Sequence, residues 1–213
     1  ANGIARAFME LNDILKSNGT CRFYKPDDVG DEVLAEVLDA ARWAPSGGNR
    51  QPLSFVVVRD KQKKQALQEL YLPFWNDYVA GVKAGETRIG ALPKILTDAD
   101  HFANHLVDIP VLLVVCANLA DVHPTDTELG RLSVVGGASI YTGVENLLLA
   151  ARQAGLGSAL TTLLCAKEPE VKDLLNIPAH ISTAAMVTLG WPERPFPTKL
   201  RRQPLEEIVF GES

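Results

Sequence analysis

The sequence is poor in the residues that most often announce a chemistry. Its three cysteines, Cys21, Cys116 and Cys165, are far apart, with no C-x-x-C pair and no zinc-type spacing. That argues against a disulfide framework and against a structural metal site. Of the four histidines only His101 and His105 are close, four residues apart and therefore on one helical face. The glutamate of an H-E-x-x-H motif is missing and no third ligand is evident, so solvated histidines on a helix are expected and no metal. No G-x-G-x-x-G follows a strand-like run, no Walker lysine is present, and no Ser-His-Asp set stands out. No apolar run is long enough to span a bilayer and nothing reads as a secretory leader, so a soluble, cytoplasmic protein is expected. Positive charge is also short. Twenty-one Lys and Arg against 26 Asp and Glu give a net charge of -5, which disfavours nucleic acid or an anionic membrane as partner. Any phosphate this chain holds must be held by a local group of basic side chains.

What the chain does have is apolar material. With 46% hydrophobic and 22% charged residues over 213 positions, it can bury a real core, and one domain spanning 1–213 is expected. Ile4, Phe8, Leu11 and Leu15 are helically spaced up to an Asn18-Gly19 stop. A second helix is expected over Asp31–Trp43, with Val33, Leu34, Val37, Leu38 and Ala41 inward and Pro45 beyond its end. Short apolar strands are expected at 54–58 and 109–118, the latter apolar enough to be covered on both faces. Residues 60–106 read as two or three helical pieces, broken near Pro73 and around 81–90. A long buried helix is expected over 132–153, then a strand at 158–164, a short helix at 168–175 and a strand at 184–190. The Pro-rich, basic tail over 191–213 closes with a strand-like Glu-Glu-Ile-Val-Phe. This order is α/β-like, yet it lacks the dinucleotide fingerprint.

Three polar clusters interrupt the apolar pattern. Pro45-Ser46-Gly47-Gly48-Asn49-Arg50-Gln51-Pro52 packs a hydroxyl, two amides and a guanidinium into a few residues. Its glycines would let backbone N–H groups approach a ligand, although a helix-capping turn with a self-bonded Asn explains the same residues. Lys199, Arg201 and Arg202 lie in the tail, which could equally be solvated, and Thr20 and Arg22 follow the first helix. Together they could assemble a phosphate site in an otherwise acidic protein.

In this order the clusters resemble the nitroreductase family of FMN-dependent oxidoreductases. The likeness rests on "TCRFYKPDDVGDEVLAEVLDAARWAPSGGNRQPLSFVVV", "GVENLLLAARQAGLGSAL", "PAHISTAAMVTLGWP" and "RRQPLEEIV". Each segment is weak alone; their colinear combination is specific. The resemblance implies an α+β fold, a three-layer α-β-α sandwich with a central mixed, mostly antiparallel sheet flanked by helices. It also implies a homodimer that exchanges its C-terminal tail strands and builds each FMN site from both chains.

The resemblance further implies that Thr20 and Arg22 contact the FMN phosphate and that Pro45, Ser46 and Gly47 line the isoalloxazine. Asn49 and Gln51 would brace that loop or reach the flavin, Leu160, Thr161 and Thr162 would face N5, and Lys199, Arg201 and Arg202 would grip the phosphate. The aromatic group Tyr71, Phe74, Trp75 and Tyr78 belongs either to a packed helix pair or to a lid over 71–106 that walls the acceptor pocket. The implied activity is hydride transfer from NADH or NADPH through flavin N5 to a nitroaromatic, quinone or enone acceptor, with no protein nucleophile required. A flavin-sequestering protein, or a specialised enzyme such as a reductive dehalogenase, is the alternative. The chain departs from the family at Asn18, where an arginine is usual, at Leu53 in place of a tryptophan, and in "SALTTLL", which lacks the usual Pro/Glu/Gly loop.

Overall fold

A single β-strand with no polar face sets the architecture. Strand β2, Val111–Asn118, is buried at every position but its last. Its odd-numbered residues Val111, Leu113, Val115 and Ala117 enter one core, and Leu112, Val114 and Cys116 enter the other. A strand apolar on both faces must lie at the centre of a covered sheet. The order is β1-β2-β4-β3, with β1 Leu53–Val58, β3 Gly157–Thr161 and β4 Ile181–Gly190, and every pairing is antiparallel. One isolated parallel bridge, Thr20 to Ser158, lies outside the named strands at the outer edge of β3. The computed structural model describes residues 9–85, 93–209 and 211.

Helices cover both faces. On one side α2, Asp31–Ala41, and α5, Ala138–Gln153, pack on the sheet through Leu34, Val37, Ile140, Val144 and Leu147. On the other lie α3, Lys61–Lys83, α4, Pro93–Asn104, and α6, Glu168–Leu175. The result is the three-layer α+β sandwich that the resemblance implied. Gly143 permits the tightest approach within it. A Cβ there would lie 2.4 Å from Leu53 Cδ2 and 3.0 Å from the Ala41 carbonyl oxygen. Helix α5 can therefore press against β1 and α2 directly beneath the polar loop.

Several boundaries differ from expectation. Helix α3 runs unbroken through Pro73. Both Pro73 and Glu69, the residue whose carbonyl loses its helical donor, are exposed, so water can satisfy the orphaned oxygen. The break expected around 81–90 falls largely on 86–92, outside the described residues. Of the first expected helix, Ile4 and Phe8 lie outside the described residues; the described part is α1, Leu11–Ser17, in which Ile14 is buried and Leu11 and Leu15 face outward. The third strand stops at Thr161 and gives way to a 3-10 turn at Leu163–Lys167. The expected terminal strand is not formed over the described residues: Leu205–Glu207 is a 3-10 turn whose apolar side chains are exposed.

The long helix begins at Ala138 rather than 132 because Asp126 captures the preceding segment. Its buried carboxylate accepts from Ser133 Oγ at 2.6 Å, from the Val134 N–H at 2.9 Å and from Arg131 Nη1 at 2.8 Å. These bonds, led by the Ser133 hydroxyl, hold the Asp126 carboxyl down at about 2. They also fix a loop that presents Leu129, Leu132 and Val134 to solvent. A depressed carboxyl contributes stability that is present above the ordinary carboxylate range and disappears as pH falls toward 2. Asp126→Asn should remove that part of the acid sensitivity. Unfolding midpoints at neutral and acid pH check it, and an unchanged acid loss in the variant rejects the assignment.

Candidate functional site

The polar loop is fastened in place at both ends. Ser46 Oγ accepts the Gln51 N–H at 3.0 Å, and the Gly47 N–H donates to Ser139 Oγ at the start of α5, also at 3.0 Å. Thr142 Oγ1 reaches the Pro45 carbonyl at 3.4 Å, and the Asn118 N–H donates to the Pro52 carbonyl at 3.0 Å. Three residues in this short stretch take left-handed backbone: Gly48 at φ 59°, Asn49 at 54° and Gln51 at 51°. Gly48 adopts this conformation at no steric cost, and Asn tolerates it. Glutamine rarely does, and strain of this kind persists where surrounding bonds over-determine it. The Gln51 amide reaches back to the Asn49 carbonyl at 3.3 Å, so Gln51 braces the loop. A cavity of about 260 Å³ opens beside it, lined by Arg42, Ser46, Gln51, Leu53, Phe55 and Ser139.

The second group lies on the opposite edge of the sheet. Thr20 bridges Ser158 of β3, and the Cys21 N–H donates to the Ser158 carbonyl at 2.8 Å. After that bridge the chain packs Cys21 against Gly157 at the start of β3 and goes on to Tyr24, which bridges Pro192. The half-buried Arg22 comes within electrostatic reach of Tyr24 and Tyr71. Tyr24 anchors the segment by bonding Thr188 Oγ1 at 2.7 Å and donating to the Cys21 carbonyl at 3.0 Å. At the far end of β3 the Tyr71 hydroxyl pairs with Thr161 Oγ1 at 3.2 Å. Burial pushes the Tyr71 phenol up, offset partly by Thr161 and Arg22, so it stays protonated at neutral pH. Leu160 and Thr162 are exposed beside it.

The four aromatic residues divide. Tyr71 and Trp75 are buried in the core between α3 and its neighbours, and Trp75 Nε1 donates to Asp100 of α4 at 2.9 Å. Phe74 is half-buried, and Tyr78 is exposed and lies against Trp75. Tyr71 nevertheless sends its hydroxyl to the end of β3. In the tail, the Leu200 N–H donates to the Lys16 carbonyl at 2.8 Å, and Leu200 and Pro197 lie against Gly19; Lys199, Arg201 and Arg202 are exposed.

Sequence reasoning missed Arg194 and Asp98. With Gly19, Thr20, Arg22 and Phe196 they line a cavity of about 160 Å³. The signal available was an arginine set between prolines just after β4. His101 also differs from expectation: its ring is half-buried, stacked between Phe23 at 4.4 Å and His105 at 4.0 Å. Burial, then the neighbouring His105, pushes its basicity down. Among the described residues no group of three or more His, Cys, Asp or Glu could hold a metal ion, and no helix is long and apolar enough to cross a membrane.

The loop and the Thr20–Arg22 segment thus occupy opposite edges of one sheet. The profile of the nitroreductase family matches residues 15–191. The chain belongs to the nitroreductase family. An NADH dehydrogenase of Thermus thermophilus is 30% identical over 218 residues, covering 89% of this chain and 89% of the relative. Mouse iodotyrosine deiodinase 1 is 27% identical over 202 residues, covering 94% of this chain and 68% of the relative. The solved structure of an oxidized iodotyrosine deiodinase bound to FMN and 3-iodo-L-tyrosine superposes with a TM-score of 0.70 at 26% identity, covering 96% of this chain and all of that one.

Proposed function

We propose that this nitroreductase-family chain is an FMN-dependent oxidoreductase that carries a hydride from NADH or NADPH to a nitroaromatic, quinone or enone acceptor in a ping-pong sequence. One observation supports this most strongly. The edge of β3 carries groups for an anion at one end, Thr20 opposite Ser158, and hydroxyl and exposed backbone groups at the other, Tyr71 and Leu160–Thr162. Ser158 and Thr161 are three residues apart, about 10 Å of strand, which suits an elongated ligand with a flat ring and a phosphate tail. Thr20, Arg22 and the tail residues Lys199, Arg201 and Arg202 would hold the phosphate side. Leu160, Thr161 and Thr162 would meet the ring.

When bound, FMN would supply the redox chemistry, taking and giving a hydride at N5. The chain's own residues bind, orient and exclude water. Arg22 places positive charge beside Thr20, favouring an anionic ligand there. Tyr71 Oη holds its proton because burial disfavours the phenolate, so it can donate a hydrogen bond at the end of β3. The side of α3 that carries half-buried Phe74 and exposed Tyr78 is the proposed wall of the acceptor pocket.

The other half of each site, Pro45, Ser46, Gly47, Asn49 and Gln51, would come from a second copy of the chain. Within one chain it sits on the far edge of a four-stranded sheet. Exposed Trp43, Leu132, Val134, Tyr141, Leu205 and Ile208 offer the apolar surface a homodimer would bury, and the tail from Leu205 onward would pack on the partner. Reductive removal of halogen from an aromatic substrate is a second reading, favoured by the deiodinase likeness over 94% of the chain.

The test is to load the purified protein with FMN and add NADH or NADPH without oxygen. Bleaching of the flavin, reversed by an acceptor from a panel that includes halogenated phenols, is expected. Protein that takes up no FMN rejects the reading; bound FMN that neither nucleotide bleaches leaves a flavin-sequestering protein instead.

A further inference from the structure

We propose that Arg194, in the Pro-rich segment after β4, is a further cation that meets the phosphomonoester of the bound cofactor, beside Arg22; the proposal rests on the FMN reading above. The charge accounting at Thr20 leads to it. Asn18, two residues before Thr20, brings no charge, and Arg22 also lines a second cavity with Tyr24, His101 and Asp108, so its guanidinium is not confined to the Thr20 side. Lys199, Arg201 and Arg202 are exposed and do not line the cavity beside Thr20. Arg194 does line it, with Thr20, Arg22 and Gly19.

Its position is fixed from both sides. The Glu193 N–H donates to the Phe23 carbonyl at 3.0 Å, locking the backbone next to Arg194 to the strand-like segment that carries Thr20 and Arg22. Pro195 follows and restricts Arg194 to an extended conformation. The guanidinium lies over the Phe23 ring, 3.3 Å from its centroid, and Phe23 is itself backed by the stacked rings of His101 and His105. Stacking holds the plane of the guanidinium while leaving its N–H edge free to donate.

The acceptor it has in this structure is a poor one. Arg194 Nη1 reaches Asp98 Oδ1 at 3.4 Å, a long single contact by a side chain that is 53% exposed. Such surface pairs contribute little. A phosphate dianion offers several acceptor oxygens to the same fork and makes shorter, paired bonds. Arg194 therefore trades Asp98 for the ligand's phosphate, and the cavity recognises a terminal phosphomonoester beside Thr20.

Riboflavin carries the same ring as FMN without the phosphate, which gives the test. Apo protein is titrated with FMN and with riboflavin for the wild type, Arg194→Gln and Arg194→Lys. Arg194→Gln should weaken FMN about tenfold, the scale of one charge-assisted contact, with riboflavin affinity unchanged; Arg194→Lys should recover part of the loss. An FMN-to-riboflavin preference that stays at its wild-type value in Arg194→Gln overturns the proposal, whether both affinities fall together, as for a packing role, or neither moves. Wild-type protein that binds neither flavin overturns the FMN reading as well.

Discussion

Arg22→Ala should weaken FMN binding by about 1.5–3 kcal/mol, the contribution of a hydrogen bond to a charged group, or roughly 10- to 150-fold in Kd. Arg22 is half-buried, lines the cavity beside Thr20 and lies within electrostatic reach of Tyr71, so alanine removes a positive charge from the proposed ligand edge. The backbone around it is held independently, by the Cys21 N–H on Ser158 and by Tyr24 on Thr188. The variant should therefore fold and unfold like the wild type while losing flavin. Fluorescence titration measures this directly, and unchanged FMN affinity would show that the phosphate-bearing edge has been assigned wrongly.

Leu147→Ala should cost about 2–5 kcal/mol of stability, the range for deleting a buried leucine. Leu147 is fully buried on α5, in the core that also holds Leu113 and Val187 from the sheet face beneath α2 and α5. The helix cannot close on the gap easily, because Gly143 already brings it against Leu53 and the Ala41 carbonyl. Denaturant unfolding checks the magnitude. A loss well under about 1 kcal/mol would mean that this layer repacks freely, contrary to the tight approach at Gly143.

Much of the fold was legible because the apolar periods are clean. Strand β2 is apolar on both faces and is central; α6 begins at Glu168 and ends at Leu175 as the pattern predicts. The failures fall where tertiary contacts override local pattern. Asp126 takes Ser133 and Val134 away from the helix their apolar neighbours suggested. Pro73 is tolerated because its helix turns that face to water. At the candidate site, the polarity of residues 45–52 was visible in the sequence, and the left-handed Asn49 and Gln51 supply its physical content. What no spacing rule could supply was the separation of the clusters. Loop and phosphate segment are close in the sequence yet sit on opposite sheet edges, a consequence of the β1-β2-β4-β3 order. Arg194 was hidden for a related reason: its proposed role depends on the antiparallel bridge that lays Pro192 against Tyr24.

Under the proposed function, that separation would require each site to be completed by a second chain. The most direct measurement mixes two variants damaged on opposite edges, Arg22→Ala and Gly48→Val, the latter placing a β-branched residue at φ 59°. Each alone should bind FMN poorly. Unfolded together and reassembled, they should form mixed dimers with one intact and one doubly damaged site, and tight FMN binding should return in up to half of the sites of those dimers. A mixture that binds no more FMN than the two variants measured apart would contradict a site shared between chains.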